Sequence, residues 1–248
     1  MTLDQTPSAP QVVFLHGLGH GAQLWDDTRA HLPADLRTSA LDLPGHGLNR
    51  TSMPHSMGQL IAQVEATLTT AKAKDTVLVG LGLGGMIAQG LAVKRFDLVR
   101  ALILTGTAAR LGSKERWQRQ IDQMRLNGPE KQIQDRATRS LYKPTFAQET
   151  QLKTWLNTPS KDTWINGIKA VQGTDFYTPT SGLRLPTLGL TGREDRITPP
   201  DLVRETIDLI PGSRTVLLSQ TGHLPCFEAP MAYANALTTF LTEIGHVP

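Results

Sequence analysis

Cysteine is nearly absent from this sequence, since Cys226 is the only one in 248 residues. A single cysteine excludes an intrachain disulfide, which fits a reducing compartment. No apolar run approaches the roughly 18 residues that a membrane-spanning helix needs. The opening segment, MTLDQTPSAP, lacks the basic and apolar regions of a secretory signal. We therefore expect a cytoplasmic protein with no membrane partner.

An excess of charge of either sign is also missing. The chain has 25 basic and 22 acidic residues, and a formal net charge of +3. No cluster of Lys and Arg with interleaved aromatic residues is present, which argues against a nucleic-acid partner. The hydrophobic fraction of 39% is enough for a folded core. We expect a monomer or homodimer that acts on a small molecule.

Short apolar runs alternate with longer stretches of helical spacing along most of the chain. Continuous apolar runs separated by helices are typical of a parallel sheet that is covered on both faces. The runs predicted as strands are Val12–Leu15, Thr38–Leu43, Thr76–Gly80, Ala101–Leu104, Pro186–Thr191 and Thr215–Leu218.

The stretch from about residue 113 to 180 has no convincing strand, and its apolar residues recur at helical spacing. Three of the four tryptophans lie within it. We predict a helical lid of about four helices at 113–180, with the core formed by 1–112 and 181–248. Ligands of open α/β sheets bind beyond the carboxyl ends of the strands, where such a lid would roof a pocket. A helical block that only pads the fold is the alternative.

The segment VLVGLGLGG, Val77–Gly85, runs from a predicted strand into a predicted helix. The nucleophile elbow G-x-S-x-G occupies such a junction, and here Gly82 stands where the serine belongs. Glycine adopts positive φ without the strain that another residue meets there, but it has no hydroxyl to form an acyl-enzyme. A dinucleotide loop fits poorly because the spacing is not G-x-G-x-x-G. A plain structural turn would remain plausible if the motif stood alone.

The motif HGLGHG, His16–Gly21, follows the first predicted strand. Loops of the HG-x-G type donate a backbone N–H to an oxyanion hole. Two backbone donors aimed at one oxygen stabilise the negative charge that develops there during acyl transfer. The predicted donors are the amides of Leu18 and of Leu83, the residue just after the elbow centre.

Two later loops supply an acid and a histidine. Asp195 lies in LGLTGREDRITPP and His223 in SQTGHLPCFEAP, each after a predicted strand. The order elbow, acid, histidine is that of a serine-hydrolase triad on an α/β sheet. We predict Asp195 as the acid and His223 as the base, with the adjacent Glu194 as the alternative acid.

These motifs, together with DLPGHG at Asp42–Gly47, resemble the α/β-hydrolase superfamily over nearly the whole chain. The segment Leu102–Gly128, LILTGTAARLGSKERWQRQIDQMRLNG, is similar to the strand and first lid helix of 3-oxoadipate enol-lactonases, and Trp117 matches their tryptophan. The resemblance implies an α/β-hydrolase fold with a mainly parallel sheet of about eight strands. It also implies hydrolysis of an ester or lactone with no cofactor and no metal.

Two tryptophans are candidates for substrate binding. Trp117 is expected to line a cavity above Gly82, because a lid helix must bury its aromatic face. Trp25, just after the HG-x-G loop, could join it, with a place in the core as the alternative. The lid also departs from the lactonases, which tend to carry Arg-Trp-Phe where this chain has Ser140–Tyr142. If that segment helps to hold an acidic substrate, the substrate of this chain differs.

Glycine at position 82 leaves three interpretations open. The chain could be a serine hydrolase whose nucleophile was deliberately replaced to trap a substrate. It could be an enzyme with a native glycine, in which His223 activates water or moves a proton. It could also be a non-catalytic binding protein, although such a protein has no need of the acid, the histidine and the HG-x-G loop.

Overall fold

The computed structural model describes residues 11–246 of the chain. A short 3-10 helix, Ala22–Trp25, follows the first strand. The strands are β1 Val12–Leu15, β2 Thr38–Leu41, β3 Thr76–Leu81, β4 Val99–Thr105, β5 Thr187–Gly192 and β6 Arg214–Leu218. The helices are α1 Asp26–Ala30, α2 Met57–Thr70, α3 Leu83–Lys94, α4 Lys114–Asn127, α5 Glu130–Ser140, α6 Phe146–Leu156, α7 Lys161–Gln172, α8 Tyr177–Ser181, α9 Pro200–Asp208, α10 Pro225–Glu228 and α11 Pro230–Glu243.

The sheet is parallel throughout, with the strand order β2-β1-β3-β4-β5-β6. Its six strands correspond to the six apolar runs of the sequence. The α/β-hydrolase fold is confirmed, but the expected eight strands are not found between residues 11 and 246. The higher number came from the resemblance, and the described residues supply no further extended apolar run to build additional strands.

Burial explains why the central strands lack an alternating pattern. Every residue of β1 and β3 is buried, whereas β6, at one edge, is only partly covered. A parallel sheet has helices on both faces, so both sides of a central strand must be apolar. The strands therefore form the middle layer of the core.

The segment between β4 and β5 is helical, with five helices where about four were expected. We call α4 to α8 the helical block. Side chains cap three of its helices: Ser113 accepts from the first turn of α4, Thr145 forms a capping box with Gln148, and Ser160 caps α7. Within the block α4 packs on α7, and α5 packs on α6.

Parallel topology decides where the candidate functional residues meet. The carboxyl ends of parallel strands lie at one edge of the sheet, so the loops after β1, β3, β5 and β6 gather there. These loops contain the HG-x-G motif, Gly82, Asp195 and His223, respectively. Within residues 11–246 no helix has both the length and the apolar character needed to cross a membrane.

Candidate active site

Gly82 forms the turn between β3 and α3. Its backbone has φ 52° and ψ −112°, a conformation that side-chain-bearing residues rarely adopt. Its amide donates to the carbonyl of Thr105 at 3.0 Å, and its carbonyl accepts from Thr107 Oγ1 at 2.7 Å. The end of β4 therefore holds the turn in place from one side.

The glycines of this turn are required for different reasons. A Cβ at Gly84 would lie 2.3 Å from the carbonyl oxygen of Leu15, and one at Gly80 would lie 2.6 Å from backbone atoms of the turn. A Cβ at Gly82 would have no neighbour closer than 3.8 Å, and it would lie 3.9 Å from His223 Nε2. Space excludes side chains at Gly80 and Gly84, whereas only the backbone angle opposes one at Gly82.

His223 and Asp195 are hydrogen-bonded to each other. Nδ1 of His223 lies 2.8 Å from Oδ2 of Asp195, and both side chains are almost fully buried. The other carboxylate oxygen, Oδ1, accepts from the amides of Ile197 at 2.7 Å and Thr198 at 2.9 Å. These two amides fix the carboxylate so that Oδ2 faces the imidazole.

The pairing with Asp195 assigns the tautomer of His223. An ionised carboxylate only accepts, so Nδ1 carries the proton and Nε2 keeps its lone pair. Nε2 faces Gly82 and makes no hydrogen bond within the described part of the chain. In the part of the chain that the structure describes, Glu194, the alternative acid, forms no hydrogen bond or ion pair with His223, and its amide donates to the carbonyl of Thr221.

Glu228 supports the histidine loop and was not identified from the sequence. Its carboxylate accepts from the amides on either side of His223, those of Gly222 at 2.8 Å and Leu224 at 3.3 Å, and from the amide of Tyr142 at 2.7 Å. Burial raises the pKa of Glu228 to about 7, although the three amides act in the opposite direction. The only sequence signal was a lone acid in the otherwise apolar segment LPCFEAP.

Leu18 and Leu83, whose amides are the predicted oxyanion donors, lie at the same cavity. Both residues line the cavity that also contains Gly82 and His223. Neither amide donates a hydrogen bond to any group among residues 11–246. Leu83 is the first residue of α3, where N–H groups have no partner inside the helix and the helix dipole favours negative charge.

Buried neutral histidines hold the HG-x-G loop. Nε2 of His16 accepts from the amide of Leu43 at 2.9 Å, so its Nδ1 donates to the carbonyl of Gly17 at 2.8 Å. Burial, with a contribution from His46, lowers the pKa of His16 to about 3. His46 in turn accepts from the amide of Gly19 at 3.1 Å. These histidines act as neutral loop supports.

A cavity of about 330 Å³ lies between the helical block and the sheet edge. Trp117 of α4 lines it, and the ring nitrogen of Trp117 donates to the carbonyl of Leu111. Trp164 of α7 lines it as well. Trp164 is one of the three tryptophans of the 113–180 stretch, and the sequence did not assign it to a pocket.

Trp25 does not line this cavity, so the prediction that it contacts substrate is corrected. Its side chain is fully buried. Its ring packs between Phe14, at a centroid distance of 5.0 Å, and Tyr233, at 6.0 Å. The 3-10 helix after the HG-x-G loop directs the indole into the core, which was the alternative.

No metal centre is apparent in the part of the chain that the structure describes. It contains no group of three or more His, Cys, Asp or Glu side chains that could hold an ion. Cys226 is buried, and burial raises the pKa of its thiol, which leaves it without nucleophilic character. The groups at this site that could take part in chemistry are therefore the imidazole of His223 and the amides of Leu18 and Leu83.

Comparison with known proteins agrees with this fold. The chain is 30% identical to the pimeloyl-[acyl-carrier protein] methyl ester esterase of Neisseria meningitidis, over 96% of each chain. The enol-lactonase of Burkholderia xenovorans LB400 superposes with a TM-score of 0.88 at 24% identity, over 97% of this chain and 94% of that one. A thermophilic esterase of Thermogutta terrifontis gives 0.87 at 25% identity, over 97% and 91%. Residues 12–236 match the alpha/beta hydrolase family, and the chain belongs to that family.

Proposed function

We propose that this protein hydrolyses a small ester or lactone, with His223 as the general base and water as the nucleophile. The observation that carries the proposal is the room at Gly82. A serine side chain would begin 3.9 Å from Nε2 of His223, and nothing else fills that position. A water molecule there would be within reach of a base whose tautomer Asp195 fixes.

The chemistry needs only groups that the site contains. Nε2 of His223 takes a proton from the water as its oxygen bonds to the substrate carbonyl carbon. The carbonyl electron pair moves onto oxygen, which the amides of Leu18 and Leu83 stabilise. When the tetrahedral intermediate collapses, the leaving alkoxide takes the proton back from His223. The products are an acid and an alcohol, or one hydroxy acid from a lactone.

The names of the relatives support this choice of substrate class. One is a methyl ester esterase and another an enol-lactonase, and both reactions break an acyl–oxygen bond. The family's acyl-enzyme route is closed to a chain with glycine at position 82. Direct attack by water uses the same base and the same oxyanion donors, so it requires no other change in the site.

Hydrolysis of 4-nitrophenyl butyrate tests the proposal. We expect slow steady turnover without an initial burst, because no acyl-enzyme accumulates. His223→Ala should reduce the rate about 10²- to 10⁴-fold, the usual contribution of a general base. Equal rates for His223→Ala and the unchanged chain would refute the role of His223.

Two substitutions at Gly82 provide a matched pair. Gly82→Ala adds a methyl group in the water's position but no nucleophile, so its turnover should be lower than that of the unchanged chain. Gly82→Ser adds the hydroxyl next to His223, so a burst and a covalent acyl-enzyme detectable by mass spectrometry should appear. If Gly82→Ala is as active as the unchanged chain, water does not react from this position, and the proposed mechanism is wrong.

A further inference from the structure

The cavity above Gly82 has one wall that the proposed hydrolysis does not use. Helices α4 and α5 contribute the side chains of Arg116, Arg136 and Arg139 to its lining, with Asp135 as the only acidic residue there. Among residues 11–246, none of these three arginines forms an ion pair with a carboxylate. This wall therefore carries three guanidinium groups against one carboxylate, and its net charge is positive.

Arg136 is the best placed of the three. It lies on the same face of α5 as the buried Ile133 and Ala137, so the helix directs it inward. Its Nε is buried and has no hydrogen-bond partner. Its guanidinium carbon is 5.9 Å from the ring centroid of Trp164, and its side chain donates no hydrogen bond to another group among residues 11–246.

The protein does not neutralise this cation from within. Burial lowers the pKa of Arg136 to about 10, and the carboxylate of Asp195 opposes that effect only in part. Asp195 is already bonded to His223 and to two backbone amides. A buried donor on a charged group is costly unless something accepts from it, so the wall is suited to an anion from outside the chain.

Resting on the proposed function, we propose that Arg136 binds a carboxylate carried by the substrate, at the end remote from the bond that is cleaved. A guanidinium presents its donors as a planar fork that matches a carboxylate. Trp164, Ile168 and Val171 give the lining an apolar part, which suits a short hydrocarbon chain. The substrate class is thus an ester or lactone of a dicarboxylic or similar acid, with one carboxylate free.

Binding of hexanoate and of its neutral isostere hexanamide, measured by calorimetry, tests this without any turnover. We expect hexanoate to bind more tightly than hexanamide. Arg136→Gln should weaken hexanoate about 10- to 100-fold, the range for a hydrogen bond to a charged group, and should leave hexanamide within about twofold. Arg136→Lys should fall between, because it keeps the charge and loses the fork.

Arg125→Gln is the matched control, since Arg125 lies on α4, pairs with Asp122 and does not line the cavity. It should change neither affinity. Thermal unfolding of Arg136→Gln should occur at or above the temperature of the unchanged chain, because a half-buried cation whose Nε has no hydrogen-bond partner has been removed. Equal weakening of both ligands by Arg136→Gln would show a structural role for Arg136 and overturn the proposal, as would tighter binding of butyl phosphate than of hexanoate.

The kinetic counterpart compares 4-nitrophenyl hydrogen glutarate with its neutral methyl ester. Arg136→Gln should lower kcat/KM for the free acid and spare the methyl ester. Hydrolysis of both esters without a preference for the acid would overturn the carboxylate site and leave the hydrolase proposal intact. Selective hexanoate binding without any ester turnover would support the carboxylate site and refute the hydrolase proposal.

Discussion

Alanine substitutions at individual glycines test whether there is free space beside Gly82. Gly82→Ala places a methyl group where the nearest atoms are 3.8 Å away, so its cost comes only from φ of 52°. Such backbone strain amounts to about 1–3 kcal/mol. Gly84→Ala has no positive φ, but its Cβ would lie 2.3 Å from one backbone oxygen and 2.7 Å from another. We expect it to cost about 4 kcal/mol or more, because these backbone atoms, unlike the end of a side chain, cannot rotate away.

Gly212 supplies the control for the backbone term. Its φ is 77° and nothing lies within 4 Å of an added Cβ, so Gly212→Ala reports strain alone. Urea unfolding of the three variants gives the comparison, provided that the denaturant dependence stays constant. The free energies of unfolding of Gly82→Ala and Gly212→Ala should agree within about 1 kcal/mol, given the spread of such strain.

One outcome would refute the reasoning about this position. If Gly82→Ala destabilises the fold as much as Gly84→Ala, the space beside Nε2 of His223 does not exist in the folded protein. Neither water nor a serine hydroxyl could then occupy it. The proposed mechanism and the expected gain of an acyl-enzyme in Gly82→Ser would fail together.

Three further predictions concern the surroundings of the site. The pKa of His16 is about 3 in the folded state, against 6.5 when the chain is unfolded. The free energy of unfolding should therefore fall as the pH drops from about 6.5 toward 3. Urea titrations should show a weaker dependence on pH for His16→Gln. Glu228 should affect the free energy of unfolding in the opposite direction, because its folded-state pKa of about 7 lies above the ordinary value of 4.5. Its stabilising contribution is present below about pH 4.5 and is lost as the pH rises toward 7, and Glu228→Gln should remove this loss. Trp25→Phe should lower thermal stability and leave KM unchanged, whereas Trp164→Phe should change KM, as steady-state kinetics can show.

The strands and the candidate site were predictable because their signals are local. Short continuous apolar runs such as Val12–Leu15 are typical of strands buried on both faces. Parallel topology then brings the loop after each strand to one edge, so Gly82, Asp195 and His223 needed no further information to be placed together. Only the number of strands was taken from the resemblance, and that number was wrong for the described residues.

The two tryptophan assignments show where local signals end. Trp25 follows the HG-x-G loop directly, yet its indole packs on Phe14 and Tyr233 in the core. Trp164 is far from every motif in sequence and lines the cavity. Which way an aromatic ring turns depends on how the helical block packs over the sheet, a long-range property that spacing along one helix does not contain.

The spacing of residues around Arg136 is one sequence signal for the position of this side chain. Residues 133, 136, 137 and 140 have helical spacing, so one cation stands on an otherwise small or apolar face. An arginine in that position could reach solvent or bind an anion, and spacing alone does not reveal that its Nε is buried without a partner. The three residues at 140–142 were compared with the lactonases instead, and they are not where the positive wall lies.

The end of α5 connects that wall to the catalytic loops. The side chain of Arg139 donates to the carbonyl of Arg196, and Arg196 donates to the carbonyls of Thr138 at 3.1 Å and Leu141 at 3.2 Å. The amide of His223 donates to the carbonyl of residue 140 at 2.7 Å.

The helix that presents Arg136 is thus bonded at its carboxyl end to the loops of both Asp195 and His223. Any displacement of α5 would also shift the two residues that must stay 2.8 Å apart for His223 to keep its tautomer. An anion that holds Arg136 in place would therefore also steady the base, because the two ends of the substrate would be held by one connected set of hydrogen bonds. A neutral substrate of the same shape would lack that support, which gives a physical reason for the free acid to be preferred in kcat as well as in KM.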